Sequence, residues 1–253
     1  MRESMATTVD RMAESTTISP YLGMPNFETT DFRDQPAYGL AEAARYLRLP
    51  VATLRSWVVG RPYVKATGAA RTSPLIRLRQ RHPPALSFWN LIEAHVLRSL
   101  RTDHGVSVQH LRKAIAFAQR ELSIDRLLLN QELRTTGGRL LLERYGELME
   151  LSASGQLAMR KTLEAHLERV EWDQWRFPVR LFPFVAGYAE AANRPIAIDS
   201  AIAFGRPVIV RASVTTQTVS ERIDAGESVD DLARDYDLTP KEIEEAVLYE
   251  RAA

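Results

Sequence analysis

The run from Gly39 to Trp57 reads Gly-Leu-Ala-Glu-Ala-Ala-Arg-Tyr-Leu-Arg-Leu-Pro-Val-Ala-Thr-Leu-Arg-Ser-Trp, and it leaves little freedom of fold. Leu40, Ala43, Ala44 and Leu47 recur at helical spacing and form one apolar stripe. Leu49-Pro50 stops that helix, because proline lacks an N–H and pushes the residue before it out of the α region. Pro50 is tolerated where the next helix starts. In that second helix Val51, Leu54, Trp57 and Val58 make the apolar face, and Gly60-Arg61-Pro62 ends it. Two short amphipathic helices around a tight turn are the pattern of a helix-turn-helix. The outer face of the second helix is then Ala52, Thr53, Arg55 and Ser56, with Arg61 just beyond. Short polar side chains around one arginine suit a helix that enters a major groove.

Ile76-Arg77-Leu78-Arg79-Gln80-Arg81 adds a second pattern. In a strand it places Arg77, Arg79 and Arg81 on one face and Ile76 and Leu78 on the other. His82-Pro83-Pro84 is a turn and Ala85–Ser87 a return strand, so the segment is predicted to be a wing whose arginines meet phosphates.

Charge sharpens this reading. The formal net charge of +1 over 253 residues hides a partition. Residues 36–126 hold fifteen Lys/Arg against five Asp/Glu, whereas residues 212–253 hold four against eleven. A basic front and an acidic rear imply different partners. With no cysteine, disulfides and thiolate metal sites are excluded, and a reducing cytoplasm is the expected location. No apolar run is long enough to span a membrane.

Residues 1–35 are rich in Ser, Thr, Asp and Glu and are expected to be a disordered tail. Leu86-Ser87 begins a helix running to about Asp103 and stopping at Gly105. Val106-Ser107 starts another, reaching about Leu122. From Arg126 the pattern changes. Leu127–Gln131, Arg139–Tyr145 and Glu147–Leu151 read as short strands, with Gly137-Gly138 as a turn. A helix over residues 156–171 and a strand at Val179–Val185 follow. Three compact helices close the chain: Thr215–Ala225, Val229–Tyr236 after Ser228, and Pro240–Arg251 after Thr239, with Glu242 completing a capping box. The expected fold is α+β and mainly α. Its divisions are a tail (1–35), a winged helix-turn-helix (36–125), a β-containing connecting region (126–194) and a three-helix, helix-turn-helix-like domain (195–253). The last helix carries Lys241, Glu242, Glu244, Glu245, Glu250 and Arg251, a surface that phosphates repel and that therefore suits a protein partner.

Ile198-Asp199, Gly205-Arg206-Pro207-Val208-Ile209, Ala225-Gly226-Glu227-Ser228, Leu232-Ala233, Tyr236, Leu238-Thr239 and Glu242 make the segment from Ile196 to Glu250 resemble domain-of-unknown-function family 433, a domain of toxin–antitoxin operons. The stretches Tyr38–Arg61 and Leu86–Leu122 resemble the MerR-like winged module often fused in front of it. Proteins that look like this act as VapB-type antitoxins paired with a PIN-domain ribonuclease toxin. The resemblance implies an antitoxin that also represses its own operon by binding operator DNA as a homodimer. Charge complementarity with such a nuclease, basic on its surface and carboxylate-lined at its metal site, suggests toxin contacts at Asp199, Arg206, Arg211, Glu242 and Glu245. The chain departs from the family at Ser200, where proline is usual, at Arg211-Ala212-Ser213-Val214, where a Gly-Thr-Arg-Ile run is usual, and at Arg48, a common glycine position in such turns.

The alternative is a stand-alone MerR-like regulator whose C-terminal part binds a ligand or a protein. An enzyme is not expected. His82, His95, His104, His110 and His166 lack metal-ligand spacing, and no phosphate loop or nucleophile elbow is present. No cofactor, metal or catalytic residue is assigned. Two Glu-Ala-His repeats, Glu93/His95 and Glu164/His166, sit on helices without forming a pair on one face.

Overall fold

The computed structural model describes residues 31–65, 68–101, 108–149, 152–184 and 194–251. The expected disorder of residues 1–30 and the helix boundary at Gly105–Ser107 lie outside them. Residues 31–35 are ordered, which corrects the predicted tail. Phe32–Asp34 form a 3-10 turn, Asp34 is buried, and Arg33 joins Asp31 (2.7 Å) to Asp173 (2.8 Å) while lying over the Trp89 and Phe177 rings.

The reader follows. Strand β1 (Tyr38–Gly39) leads into α1 (Leu40–Tyr46), and a turn connects it to α2 (Val51–Val58). Arg48 occupies the turn at φ 51°, the left-handed conformation that favours glycine. Leu40, Ala43, Ala44, Leu47, Leu54, Trp57 and Val58 are buried, whereas Val51, expected on the apolar face of α2, is 41% exposed in its first turn. A hairpin of β2 (Pro62–Lys65) and β3 (Gly68–Arg71) comes next. Then β4 (Gln80–Arg81) and β5 (Pro84–Leu86) pair with β1 in the order β1-β5-β4.

The predicted strand over residues 76–81 is therefore mostly unpaired. Its alternation is right, with Ile76 and Leu78 buried and Arg77, Arg79 and Arg81 exposed, but only Gln80–Arg81 have a partner strand. Leu75 and Ile76 donate instead to the Trp57 carbonyl (2.7 and 3.1 Å), which ties the segment beneath the end of α2.

Helix α3 (Phe88–Arg101) is buried along most of its length and forms the axis of the main core. Ser87 caps it, its hydroxyl accepting from the Asn90 N–H (3.1 Å), while the Asn90 Oδ1 accepts from the Ser87 N–H (3.1 Å). Helices α4 (Val108–Leu122), α5 (Thr136–Met149) and α6 (Ala153–Leu167) follow: α6 packs against α3, and α5 packs on both α6 and α4. Across the described residues 127–149 the strands expected between 127 and 151 are thus helical. Leu127–Leu129 and Gln131–Arg134 are 3-10 turns, and Leu141, Leu142 and Tyr145 are buried at helical spacing. Gly137-Gly138 is no turn: a Cβ on Gly138 would stand 2.1 Å from the Leu133 carbonyl oxygen, so glycine permits a close approach.

Strands β6 (Val170–Trp172) and β7 (Pro178–Leu181) join β8 (Ile196–Asp199), β9 (Pro207–Ile209) and β10 (Val214–Thr215) in one antiparallel sheet, ordered β10-β9-β8-β7-β6. The domain boundary expected at 194/195 falls inside this sheet. Helices α7 (Thr216–Asp224), α8 (Val229–Asp235) and α9 (Pro240–Arg251) close the chain around a second small core of Ile209, Val219, Leu232, Ile243 and Ala246. Their caps are those expected: Ser228 accepts from Asp231 (3.1 Å), and Thr239 and Glu242 cap each other reciprocally. The fold is mainly α with an α+β organisation. Among the described residues no helix is long and apolar enough to cross a membrane.

Candidate nucleic-acid interface

The exposed side of α2 presents Ala52 and Arg55, with Thr53 half-buried beside them. No ion pair engages Arg55 among the described residues, so its guanidinium is available. Ser56 does not belong to this face. It is buried, and its hydroxyl donates to the Thr53 carbonyl (2.7 Å) within the helix.

Beyond α2 the chain turns through Gly60 at φ +83°, where a Cβ would stand 1.9 Å from the Thr72 carbonyl oxygen. Thr72 and Arg61 exchange two bonds of 2.9 Å, rooting the β2–β3 hairpin at the foot of the reader helix. Arg61 and Arg71 are exposed at that root, Tyr63 is partly exposed, and Val64 near the tip is 87% exposed. Arg112 of α4 donates to the Ser73 carbonyl (2.5 Å) and braces the returning strand. This hairpin holds the place of a wing, and sequence reasoning passed over it. Its trace was Tyr63-Val64-Lys65 followed within three residues by Gly68.

The arginine row behaves differently from the expected wing. Arg79 donates to Asp34 (2.7 Å), a residue assigned from sequence to the tail. Asp34 also takes Arg126 (2.9 Å) and the Ser87 hydroxyl (3.2 Å), and Arg126 reaches Glu93 (2.9 Å). Burial opposes the Arg126 charge, but Glu93 and Asp34 outweigh it and its pKa is raised. Asp34 therefore engages the Arg79 guanidinium, although the side chain stays exposed. Arg77 stands 3.8 Å from Asp125, both largely in water, a pairing of little strength. Arg81 is exposed with no ion pair among the described residues.

The predicted partner-binding residues of the rear half separate in the same way. Asp199 is buried, accepts Arg180 (3.0 Å) and caps Ala201 (2.8 Å). Arg211 is committed to the Asp237 carbonyl and to Glu242 (3.3 Å), and Glu242 also serves its capping box. Glu245 is buried next to Lys241, and burial raises its pKa. Four of the five residues thus hold the domain together, because each carboxylate lies within reach of a helix end or a cation of its own fold. Only Arg206 projects outward with no ion pair among the described residues. Beside it is Phe204, 94% exposed at φ 55°.

The rear domain rests against the back of the reader. Tyr249 of α9 donates to the Tyr46 carbonyl (3.0 Å), Arg48 lies 5.5 Å over the Tyr249 ring, and Glu250 pairs with Arg45. Tyr38 donates to the Gly205 carbonyl (3.0 Å). Among the described residues no group of three or more His, Asp or Glu side chains could hold a metal ion.

Comparison with known proteins divides the chain along similar lines. Residues 36–115 match the family described as "Putative DNA-binding HTH domain", and residues 196–249 match "Protein of unknown function (DUF433)". "Putative antitoxin VapB45" of Mycobacterium tuberculosis is 28% identical over 232 residues, covering 85% of this chain and 93% of that protein. "Uncharacterized protein Rv2308" of the same organism is 24% identical, covering 88% of this chain and 94% of its own. The crystal structure of Rv2018 from M. tuberculosis superposes with a TM-score of 0.62 at 24% identity, over 85% of this chain and 98% of that one, a likeness of fold. The chain is thus similar to a helix-turn-helix family in front and to DUF433 behind.

Proposed function

We propose that this helix-turn-helix and DUF433 protein is a DNA-binding antitoxin: its front half grips the operator of its own operon and represses it, and its rear half neutralises a PIN-domain ribonuclease. The observation that carries the DNA half is the α2 face of Ala52, Thr53 and Arg55, flanked by Arg61 and Arg71 of the hairpin. Short side chains let the helix approach base edges, and the flanking cations meet the backbone. Arg81 extends the phosphate contacts, Arg77 contributes weakly, and Arg79 is held back by Asp34. One reader helix of eight residues offers few contacts, so a homodimer on a two-fold operator is the working form.

The toxin half rests on the likeness to a relative named as an antitoxin and on the free surface at Phe204 and Arg206. An exposed aromatic next to an unpaired arginine is the composition of an interface anchor. The acidic groups still exposed, such as Glu244 and Asp230, would face the cationic side of a nuclease.

The test is co-purification of the full-length protein with a PIN-domain nuclease encoded beside it, followed by an RNA-cleavage assay. The expected result is a stable complex with cleavage suppressed, and at least tenfold weaker inhibition by the Phe204→Ser, Arg206→Glu variant. Full cleavage in the presence of the wild-type protein would refute the antitoxin half and leave the DNA half standing.

A further inference from the structure

Helix α4 carries a row of exposed residues that neither the reader face nor the rear domain uses. Gln109, Lys113, Ala116 and Arg120 are all exposed and stand four, three and four residues apart, so they share one face of the helix. Leu111, Ala114, Ile115 and Ala118 fill the other side and are buried. The exposed row holds an amide and two cations, with a single methyl group between the cations and no carboxylate. A helix face that only meets water ordinarily alternates the two signs of charge. This one is basic and low in the middle.

Both cations are exposed enough to reach a partner. Lys113 forms no ion pair among the described residues, and Arg120 has Glu121 at 3.8 Å, a well-exposed pairing of little strength. The half-buried Phe117 ring lies 5.9 Å from the Arg120 guanidinium and limits its freedom. The helix is also placed beside the reader. Near its start Arg112 donates to the Ser73 carbonyl (2.5 Å), and just past its end Asp125 lies 3.8 Å from Arg77. Helix α4 therefore runs alongside residues 73–77, the stretch whose Leu75 and Ile76 N–H groups are tied to the Trp57 carbonyl at the end of α2. Thr72, just before that stretch, holds Arg61 at the hairpin root (2.9 Å). The basic row thus begins next to the cations that flank the reader helix.

We propose that Lys113, Ala116 and Arg120 form a second contact surface for duplex DNA, gripping backbone phosphates outside the base pairs that α2 reads. The inference rests on the DNA half of the proposed function and adds a surface to it. Ala116 lets the helix lie close to a sugar–phosphate strand, while Lys113 and Arg120 each take a phosphate. The two cations are about 10 Å apart along the helix axis, roughly three base-pair steps of duplex. The contact lengthens the bound half-site without reading its sequence.

Salt-dependent binding and hydroxyl-radical footprinting of the full chain on a fragment of its own promoter test it. Lys113→Ala, Arg120→Ala should make the slope of log K against log salt about two units shallower per protomer. It should also shorten the protected region by roughly three base pairs at its outer edge. Preference for operator over random DNA should stay within about twofold, because phosphate contacts do not read bases. Lys113→Arg, Arg120→Lys should restore both readouts. Arg160→Ala, Lys161→Ala, which removes two exposed cations of α6, should change neither. Every substituted side chain is exposed, and an unchanged Tm checks the fold. Wild-type slope and footprint in the Lys113→Ala, Arg120→Ala variant would overturn the inference and leave the reader face standing. So would an equal change in the α6 variant, which would reduce the effect to net charge. Loss of a bound nuclease from the α4 variant with DNA binding intact would assign the face to a protein instead. No complex with the wild-type protein would remove the reader and this surface together.

Discussion

At the scale of the residue, what decides each role is whether a side chain's charge is already spent. Arg55 and Arg79 look alike in the sequence, but Arg55 has no ion pair among the described residues and Arg79 pairs with Asp34. Replacing Arg55 with alanine should cost about 1–3 kcal/mol of specific binding and relax discrimination at one base pair, measured by titrating operator variants. Replacing Arg79 should leave DNA affinity within twofold and lower Tm, because it leaves part of the buried Asp34 charge unmatched. His95 gives a prediction in pH. Burial, then the proximity of His166, holds its pKa well below 6.5 in the folded protein, while the unfolded chain titrates near 6.5. Below that pH the unfolded state binds the extra proton, so stability present above pH 6.5 is lost progressively as pH falls. The charges of His166, Arg98 and Arg169 also disfavour a charge there, opposed by the His166 carbonyl that accepts from the ring. Tm should drop between pH 7 and 5, and His95→Gln should flatten that slope; an equal slope in both proteins would remove the assignment.

Elements were legible in the sequence where period and cap agreed. Both reader helices, α3 and the three terminal helices follow from apolar spacing with Pro50, Ser87, Ser228 and Thr239 at their starts, whereas the helix expected over 156–171 begins earlier, at Ala153 after the Ser152 cap, and gives way to β6 at Val170. The middle failed for a physical reason. Leu127-Leu128-Leu129 and Leu140-Leu141-Leu142 are continuous apolar runs, which carry neither period, and the adjacent glycine pair mimicked a turn. Burial on several sides of α5 satisfies those leucines, and Gly138 lets the helix start touch the Leu133 carbonyl. Gly138→Ala should therefore destabilise the protein by about 1–3 kcal/mol through overpacking, read from chemical denaturation. The β2–β3 hairpin was missed because its described side chains are exposed or half-buried, with no apolar alternation to mark a strand. Gly60→Ala should loosen its root and weaken DNA binding while α1 and α2 stay folded, visible as lost amide protection confined to residues 60–72.

For the whole molecule, the partition of charge foresaw two functional ends but not their physical closeness. The acidic rear helices turn part of their charge inward: Glu250 holds Arg45, and Tyr249 seals the turn at Arg48. No sequence pattern announces such a contact, since it joins residues about 200 positions apart. The reader is thus held from behind by the domain assigned to a protein partner, with its free cations turned elsewhere. Fluorescence anisotropy of a labelled fragment of its own promoter, titrated across a range of salt concentrations, tests this most directly. The account predicts a saturable complex whose log K falls linearly with log salt, and a slope about three units shallower once Arg61, Arg71 and Arg81 are replaced by alanine. An unchanged slope in that triple variant would contradict it.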